Sequence, residues 1–268
     1  MNFIFWNVKK NIQTFPIIKD LLSDYDVDIC ILAEFPENKQ LDMLAKITGY
    51  KFHIPIKASK NRIEYIHKSD IIFDHLDDTS RRGSAKKIKT NITEINLIGC
   101  HLPSKFSNDT KMQMEEANEF SRFVMSVEQH SNDNTLVVGD FNMNPFEDGM
   151  VAVKGFNSVM DKRIALRNNG KKTYFNILYP YFYNPMWRFL GDYPEIIGGT
   201  YYYDKKYPTP YYWHILDQVL IRPNLIQYFD DNSLKIISKT NNYNLLSDNG
   251  IINSNISDHL PIYFKLNI

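Results

Sequence analysis

The sequence predicts an α/β layer fold with two β-sheets, on three observations. Apolar or alternating runs of strand length outnumber helical stretches. The helical stretches separate groups of strands instead of following each strand, which disfavours a doubly wound parallel sheet. Residues 62–67, 70–75 and 90–101 alternate in polarity, as an antiparallel meander with one solvated face does.

Taken in order, Phe3 to Val8 is rich in aromatic and β-branched residues and reads as the first strand. Thr14 is placed to cap a helix, with Pro16 in its first turn and Ile17, Ile18, Leu21, Leu22 and Tyr25 on one face. Asp28 to Ala33 is a buried strand running into Glu34, and Asn38 to Thr48 suits a short helix stopped by Gly49. After the meander, Lys111 to Gln129 is amphipathic: Ala117, Phe120, Val124 and Val127 share a face, with Glu115, Glu116 and Glu119 outside it. Leu136 to Val138 is a buried strand and Pro145 opens a helix. Late strands are expected at Ile215 to Ile221, Leu234 to Ile237 and Leu260 to Leu266.

No Gly/Ser linker, charge block or internal repeat marks a boundary, so residues 1–268 read as a single domain with a substantial core. A hydrophobic fraction of 43% and a charged fraction of 23% are those of an ordinary soluble protein. Lys plus Arg equals Asp plus Glu at 31 each, so bulk charge advertises neither nucleic acid, membrane nor acidic ligand. Cys30 and Cys100 lie in apolar runs and read as reduced packing residues. The first residues lack the features of a secretory signal and no stretch reaches transmembrane length. A cytoplasmic setting without membrane insertion is the expectation. One stretch breaks the pattern. Residues 174–213 hold eleven of the seventeen tyrosines with neither a helical nor a strand period, and read as an ordered, aromatic-rich insertion.

Two strands carry polar residues that a core does not need. Leu136 to Val138 runs into Gly139, Asp140, Phe141 and Asn142, while Ser257, Asp258 and His259 precede the last strand. Burying such groups bare costs about 2–7 kcal/mol each, so they must be paired, hydrated or bound to a cation. Asn7, Glu34, His101 and Asp217 stand at the ends of other strands. Each alone has a plain reading. Asn7 shapes a turn, Glu34 opens an exposed loop, His101 is a structural histidine, Asp140 and Asn142 cap the helix near Pro145, and Asp217 pairs with a surface cation. Together they bring to the strand ends the oxygen and imidazole groups that phosphate chemistry uses.

The segments Trp6-Asn7-Val8, Leu32-Ala33-Glu34, His101-Leu102-Pro103, Gly139-Asp140-Phe141-Asn142, Leu216-Asp217-Gln218-Val219 and Ser257-Asp258-His259-Leu260-Pro261 span residues 6–261. In that order they resemble the signature segments of the endonuclease/exonuclease/phosphatase superfamily, the DNase I-like fold. The resemblance implies an α+β fold, a four-layer α/β/β/α sandwich of two mostly antiparallel sheets with helices outside. Its site forms where loops of both sheets meet. Glu34 is implied as the principal ligand of Mg²⁺, which Mn²⁺ can replace, with Asn7 and Asp258 contributing directly or through water. His259 is implied as the imidazole that activates water or contacts the scissile phosphate, with Asp217 fixing its tautomer. Asp140 and Asn142 orient the nucleophile and bind phosphate, Asp140 being the other candidate base. His101 resembles a second histidine that protonates the leaving oxygen, and Glu64 is the nearest counterpart of the glutamate supporting it. No organic cofactor is implied.

The implied activity is divalent-metal-dependent phosphoester hydrolysis, foremost nuclease cleavage of DNA or RNA. A small-molecule or lipid phosphatase or phosphodiesterase, acting for example on a phosphoinositide or sphingolipid, is the alternative. A non-catalytic scaffold is a further one, against which the intact polar set argues. Zero net charge disfavours avid gripping of long duplex, so single strands or ends are the expected nucleic-acid substrates. The insertion precedes Asp217 and is expected over the rim of the site. There its rings either stack unpaired bases, at about 1–3 kcal/mol each, or pack on one another. Ala33 and Gln218 stand where Gln and His or Tyr are commoner in the family; neither change removes a catalytic group. The Arg81-Arg82-Gly83 turn with Lys86, Lys87 and Lys89 reads as a solvated basic face or as a phosphate contact.

Overall fold

A computed structural model describes residues 1–36, 49–53, 63–105, 109–192, 197–204 and 211–268. In chain order the strands are β1 (Asn2–Asn7), β2 (Ile29–Ala33), β3 (Tyr50–His53), β4 (Ile63–Lys68), β5 (Ile72–Asp77), β6 (Gly83–Lys89), β7 (Glu94–His101), β8 (Thr135–Asp140), β9 (Ser158–Val159), β10 (Lys171–Tyr174), β11 (Ile177–Pro180), β12 (Phe182–Tyr183), β13 (Tyr201–Tyr203), β14 (Tyr212–His214), β15 (Asp217–Ile221), β16 (Lys235–Ile236) and β17 (Ile262–Lys265). A six-stranded sheet has the order β16-β17-β1-β2-β4-β3 and a seven-stranded sheet the order β5-β6-β7-β8-β15-β12-β9. Both are mixed and mostly antiparallel, with parallel pairs at β1/β2, β7/β8 and β9/β12.

The continuous apolar runs follow from burial on both faces. Along β8, Leu136 and Val138 face the core shared by the sheets, while Val137 joins a second core under the long helix Thr110–Gln129. In β15, Val219 and Ile221 turn one way and Leu220 the other. A strand buried on both sides needs apolar residues at every position, so the period of two disappears from its sequence. The sheets approach closely at Gly99, where an added Cβ would lie 2.5 Å from Ile63. The first helix, Thr14–Asp24, buries Phe15, Ile17, Ile18, Leu21 and Leu22 with the main core. The long helix buries Ala117, Phe120, Val124 and Val127 on the second. The result is the α/β/β/α sandwich expected from the sequence. Cys30 and Cys100 are free, buried thiols within it.

Local expectations needed correction in four places. Thr14 is the first helical residue and does not cap: its hydroxyl donates to the Asn11 carbonyl at 2.6 Å. Pro145 opens no helix; a single turn begins at Asp148, after Asn144 binds the Glu147 carboxylate through its side-chain amide at 2.9 Å. The basic stretch after Arg82 is strand β6, and its lysines are paired. Lys86, only 3% exposed, grips Asp78 at 2.9 Å; Lys87 meets Glu94 and Lys89 meets Asp74. Arg82 binds Glu116 at 2.9 Å. The run of cations hid the alternation because one inward-facing position is a buried ion pair instead of an apolar residue. The fourth concerns residues 174–213, whose described parts fold to separate places. The ribbon β10–β11 leads into β12, which belongs to the large sheet, whereas β13–β14 lies beside His259. The helix expected over Asn38 to Thr48 lies outside the described residues, as do 193–196 and 205–210 of the aromatic stretch.

Candidate active site

Strand register gathers the polar ends. Asn7 pairs with Ala33 across β1/β2, which places Glu34 one residue beyond. In the other sheet His101 pairs with Asp140, and Asp140 with Asp217, so three consecutive neighbouring strands end side by side. The segment before β17 completes the ring. His259 is anchored by its backbone: the Trp6 indole donates to its carbonyl at 2.9 Å, and its N–H donates to the Ser257 hydroxyl at 3.1 Å. Ser257 in turn donates to the Asn7 carbonyl at 2.7 Å. These bonds tie the His259 segment to β1 within the six-stranded sheet, and the two sheets are joined at the site by His259 to Asp217 and by Asn7 to Asp140.

The centre is a buried line of ionisable groups. His259 Nδ1 lies 2.8 Å from Asp217 Oδ2, and its Nε2 lies 3.8 Å from Asp140 Oδ2. Asp140 accepts from the Asn7 amide at 3.0 Å and from the Asn142 backbone N–H at 2.9 Å, so both its oxygens are fixed. Burial pushes the Asp140 carboxyl above the usual range. Burial also opposes an imidazolium at His259, but the charges of Asp217 and Asp140 and the Asp217 hydrogen bond outweigh it and push the pKa up to about 10. His101 Nε2 stands 3.6 Å from Glu34 Oε1 and 3.7 Å from Asp140 Oδ2, bridging the carboxylates of the two sheets. Glu34 and Asn142 both adopt left-handed backbone, with φ of 50° and 52°. That conformation is uncommon for non-glycine residues and is held here by the surrounding contacts.

Asn7 does shape a turn, its side-chain oxygen accepting from the Lys9 backbone N–H at 3.1 Å, but other plain readings give way to this geometry. Asp140 and Asn142 cap no helix: the Asn142 side-chain amide donates to the Leu102 carbonyl at 2.8 Å. Asp217 is fully buried and binds no Lys or Arg among the described residues. Asp258 is the outlier. Its side chain is 34% exposed and its carboxylate meets Lys9 at 3.4 Å. Gln218 is occupied structurally, donating to the Met143 and Ile215 carbonyls and accepting from Asn184.

Glu64 does not support His101. Its charged neighbours are Lys86 and Asp78, no ion pair joins it to His101, and its Oε2 is buried without a hydrogen-bond partner. Burial pushes its carboxyl up to about 8 from an ordinary 4.5. A carboxyl raised on folding contributes stability that is complete below the unfolded pKa and lost as pH rises through the folded one. Glu64→Gln is therefore expected to remove a decline in stability between about pH 4.5 and pH 8. Urea midpoints measured at both ends of that range check this; an unchanged pH slope in the variant would show that Glu64 does not titrate there.

Sequence reasoning missed several contributors. Thr200 accepts from the backbone N–H groups of Leu216 and Asp217 at 3.1 Å each and so fixes the start of β15, yet nothing in its sequence context distinguishes it. Tyr201 bridges to His259 through the backbone, with ring centroids 4.9 Å apart, and its aromatic neighbourhood was the available signal. His214 reaches Asn144 at 3.1 Å, and Lys9 follows the Trp6-Asn7-Val8 segment directly.

Asp140, Asp217 and His259 bring donor atoms within 4.8 Å of one another, a group able to hold a metal ion. Whether a hard cation fits can be judged from the donors. Asp217 Oδ1 is buried without a partner, but Oδ2 is committed to His259, and an imidazole nitrogen is a poor donor to Mg²⁺. Glu34 offers a carboxylate that has no Lys or Arg within 4.0 Å among the described residues, and Asn7 an amide oxygen that accepts from the Lys9 backbone N–H at 3.1 Å and has a second lone pair. An oxygen-rich site of this kind suits a hard divalent ion.

A model of the endonuclease/exonuclease/phosphatase family matches residues 4–259. Among solved structures, a 3'-5' exonuclease (NExo) from Neisseria meningitidis matches with a TM-score of 0.59 at 14% identity, covering 100% of both chains. A mannosyl-6-phosphatase from Bacteroides thetaiotaomicron matches with a TM-score of 0.59 at 14% identity, covering 99% of each. TDP2 of D. rerio, complexed with a single-strand DNA product, matches with a TM-score of 0.55 at 16% identity, covering 100% of this chain and 99% of that one. At such identities the likeness is one of fold. A search of curated proteins finds no match.

Proposed function

Because the chain belongs to the endonuclease/exonuclease/phosphatase family, we propose that it is a divalent-metal-dependent nuclease that hydrolyses phosphodiester bonds in single-stranded nucleic acid or at strand ends. The supporting observation is the Asp217–His259–Asp140 line facing Glu34 and His101, with the β13–β14 aromatic ribbon beside it. Glu34 and Asn7 would hold the cation, with Asp258 reached through water. When bound, such an ion neutralises charge on the phosphate oxygens and lowers the pKa of coordinated water.

Asp217 holds the His259 ring in one tautomer and favours its charged form, so Nε2 presents a hydrogen-bond donor towards the scissile phosphate. Asp140, fixed by Asn7 and Asn142 and made more basic by burial, takes the proton of the attacking water. His101, flanked by Glu34 and Asp140, supplies a proton to the departing oxygen. Exposed rings favour a nucleic-acid substrate over a compact monoester. Tyr212, the first residue of β14, is 49% exposed and Tyr211 just before it 60%, and Phe146, on the loop after Asn142, packs edge-on against Tyr211. Unpaired bases stack on such faces. The mannosyl-6-phosphatase relative keeps a small-molecule phosphatase as the second reading.

The test is a panel of labelled DNA and RNA oligonucleotides, phosphoinositides, sphingomyelin and sugar phosphates, each with Mg²⁺ or Mn²⁺ and with EDTA. Oligonucleotide cleavage that EDTA abolishes is the expected result. Phosphate release from monoesters alongside intact oligonucleotides would overturn the nuclease reading. No turnover of any substrate would leave a scaffold. In Glu34→Ala the Mg²⁺ half-saturation concentration should rise at least about tenfold, with the fold retained because a crowded carboxylate has been removed.

A further inference from the structure

The β10–β11 ribbon exposes apolar surface that the catalytic reading does not use. Of the fifteen exposed large hydrophobic residues among those described, seven lie between positions 160 and 178. Phe175 at the ribbon tip is 81% exposed, Leu178 60%, Ile177 54% and Leu166 52%. The tip is a two-residue turn in which Phe175 and Asn176 have φ of 47° and 61°. Such primed turns ordinarily carry Asn or Gly. A bulky aromatic in left-handed backbone, turned out to water, is unfavourable on both counts.

The same span carries five cations and one acid, Asp161, in a chain whose net charge is zero. Arg163 is held by Asp161 and Lys162 by Asp231, leaving Arg167, Lys171 and Lys172 without an ion pair among the described residues. The ribbon is rooted away from the site. Tyr183, which follows it, pairs with Ile221, four residues along β15 from Asp217, or roughly 13 Å. Arg222 fixes the root by donating to the Pro180 and Tyr181 carbonyls at 3.0 and 3.1 Å.

We propose that this ribbon is a peripheral docking element for an anionic lipid surface, with Phe175, Ile177 and Leu178 entering the headgroup region and Lys171, Lys172 and Arg167 meeting lipid phosphates. The interleaving of apolar and cationic side chains is the composition of segments that lie in a membrane interface. No helix among the described residues is long enough and apolar enough to cross a membrane. A second copy fits poorly, because a two-fold contact would set these cations against themselves, and lysine is depleted in protein interfaces. Nucleic acid fits less well: Phe175 and Tyr174 offer rings, but they pack edge-on against each other, and their aliphatic neighbours Ile177 and Leu178 offer no face for stacking. Docked in this way, the protein keeps its catalytic end free for substrate.

The test is co-sedimentation of the full chain with vesicles of phosphatidylcholine alone or containing about 30% phosphatidylserine. Binding is expected to the anionic vesicles only. F175S/L178S and, separately, K171Q/K172Q should each weaken it at least about tenfold, with melting temperature and oligonucleotide cleavage in solution unchanged. Absence of binding, equal binding to neutral vesicles, or undiminished binding in both variants would overturn the proposal. So would a dimer that depends on the ribbon in gel filtration, or loss of oligonucleotide binding in F175S/L178S. Sedimentation needs no turnover, so its outcome is independent of the nuclease assignment.

Discussion

Replacing His259 with alanine is expected to lower kcat for phosphodiester hydrolysis by about 10³-fold while KM changes only a few-fold. The imidazole is buried, fixed at Nδ1 by Asp217 at 2.8 Å, and aimed through Nε2 into the space beside Asp140. What it gives the reaction is a preorganised charge that matters most when negative charge builds on the phosphorane, and this is why the loss should fall on kcat. Asp217→Asn keeps the ring but loses its orientation and charge, and should cost about 10²-fold. If the two act as one unit, the double variant should be no worse than His259→Ala within about threefold. Multiplying losses would show instead that Asp217 works through another group. Because His259→Ala leaves the Asp217 carboxylate buried and unpaired, its rates are to be taken at matched folded fraction, read by circular dichroism and urea titration. A variant retaining more than about a tenth of wild-type kcat would remove His259 from the chemistry.

The polar residues of the site were legible in the chain because they stand just after or just before apolar strand runs, which are strong local signals. Asp140 after Val137-Val138-Gly139 and Glu34 after Ile31-Leu32-Ala33 break sharply with what precedes them. What the sequence did not show was non-local. Thr200 matters only because the chain returns there to meet the N–H groups of Leu216 and Asp217. The aromatic stretch looked continuous, but its two ribbons separate according to strand pairing: Tyr183 with Ile221 at one end of β15, and Tyr201 with His259 at the other. No local periodicity encodes which end of a sheet a ribbon will reach. The Glu64 reading failed for a related reason, since its strand register places it near Lys86 and Asp78 and not in an ion pair with His101.

Asp78→Ala should destabilise the fold by about 3–5 kcal/mol, a large part of the roughly 5–15 kcal/mol that holds a domain together. Lys86 and Asp78 are 3% and 5% exposed, and the ammonium lies 3.0 and 2.9 Å from the two carboxylate oxygens. Ser84 also donates to Asp78, and His75 stands 3.3 Å away. Removing the acid strands a buried ammonium on β6, next to the edge strand of the seven-stranded sheet, so the loss measures an uncompensated charge more than the value of the pair. For that reason K86M with D78L should recover most of the stability that either single change loses, which a double-mutant cycle of urea midpoints can read. The pH dependence gives a second handle. Burial alone would raise the Asp78 carboxyl, but hydrogen bonds from Ser84 and Lys86 and the Lys86 charge hold it below its ordinary 3.8. Its contribution is thus complete above that value and lost as pH falls through the lower folded one. Wild type should lose stability in acid more steeply than the double variant. If K86M/D78L instead loses the sum of the single changes, the pair is a net source of stability, and the lysine is retained for its charge as well as for its packing.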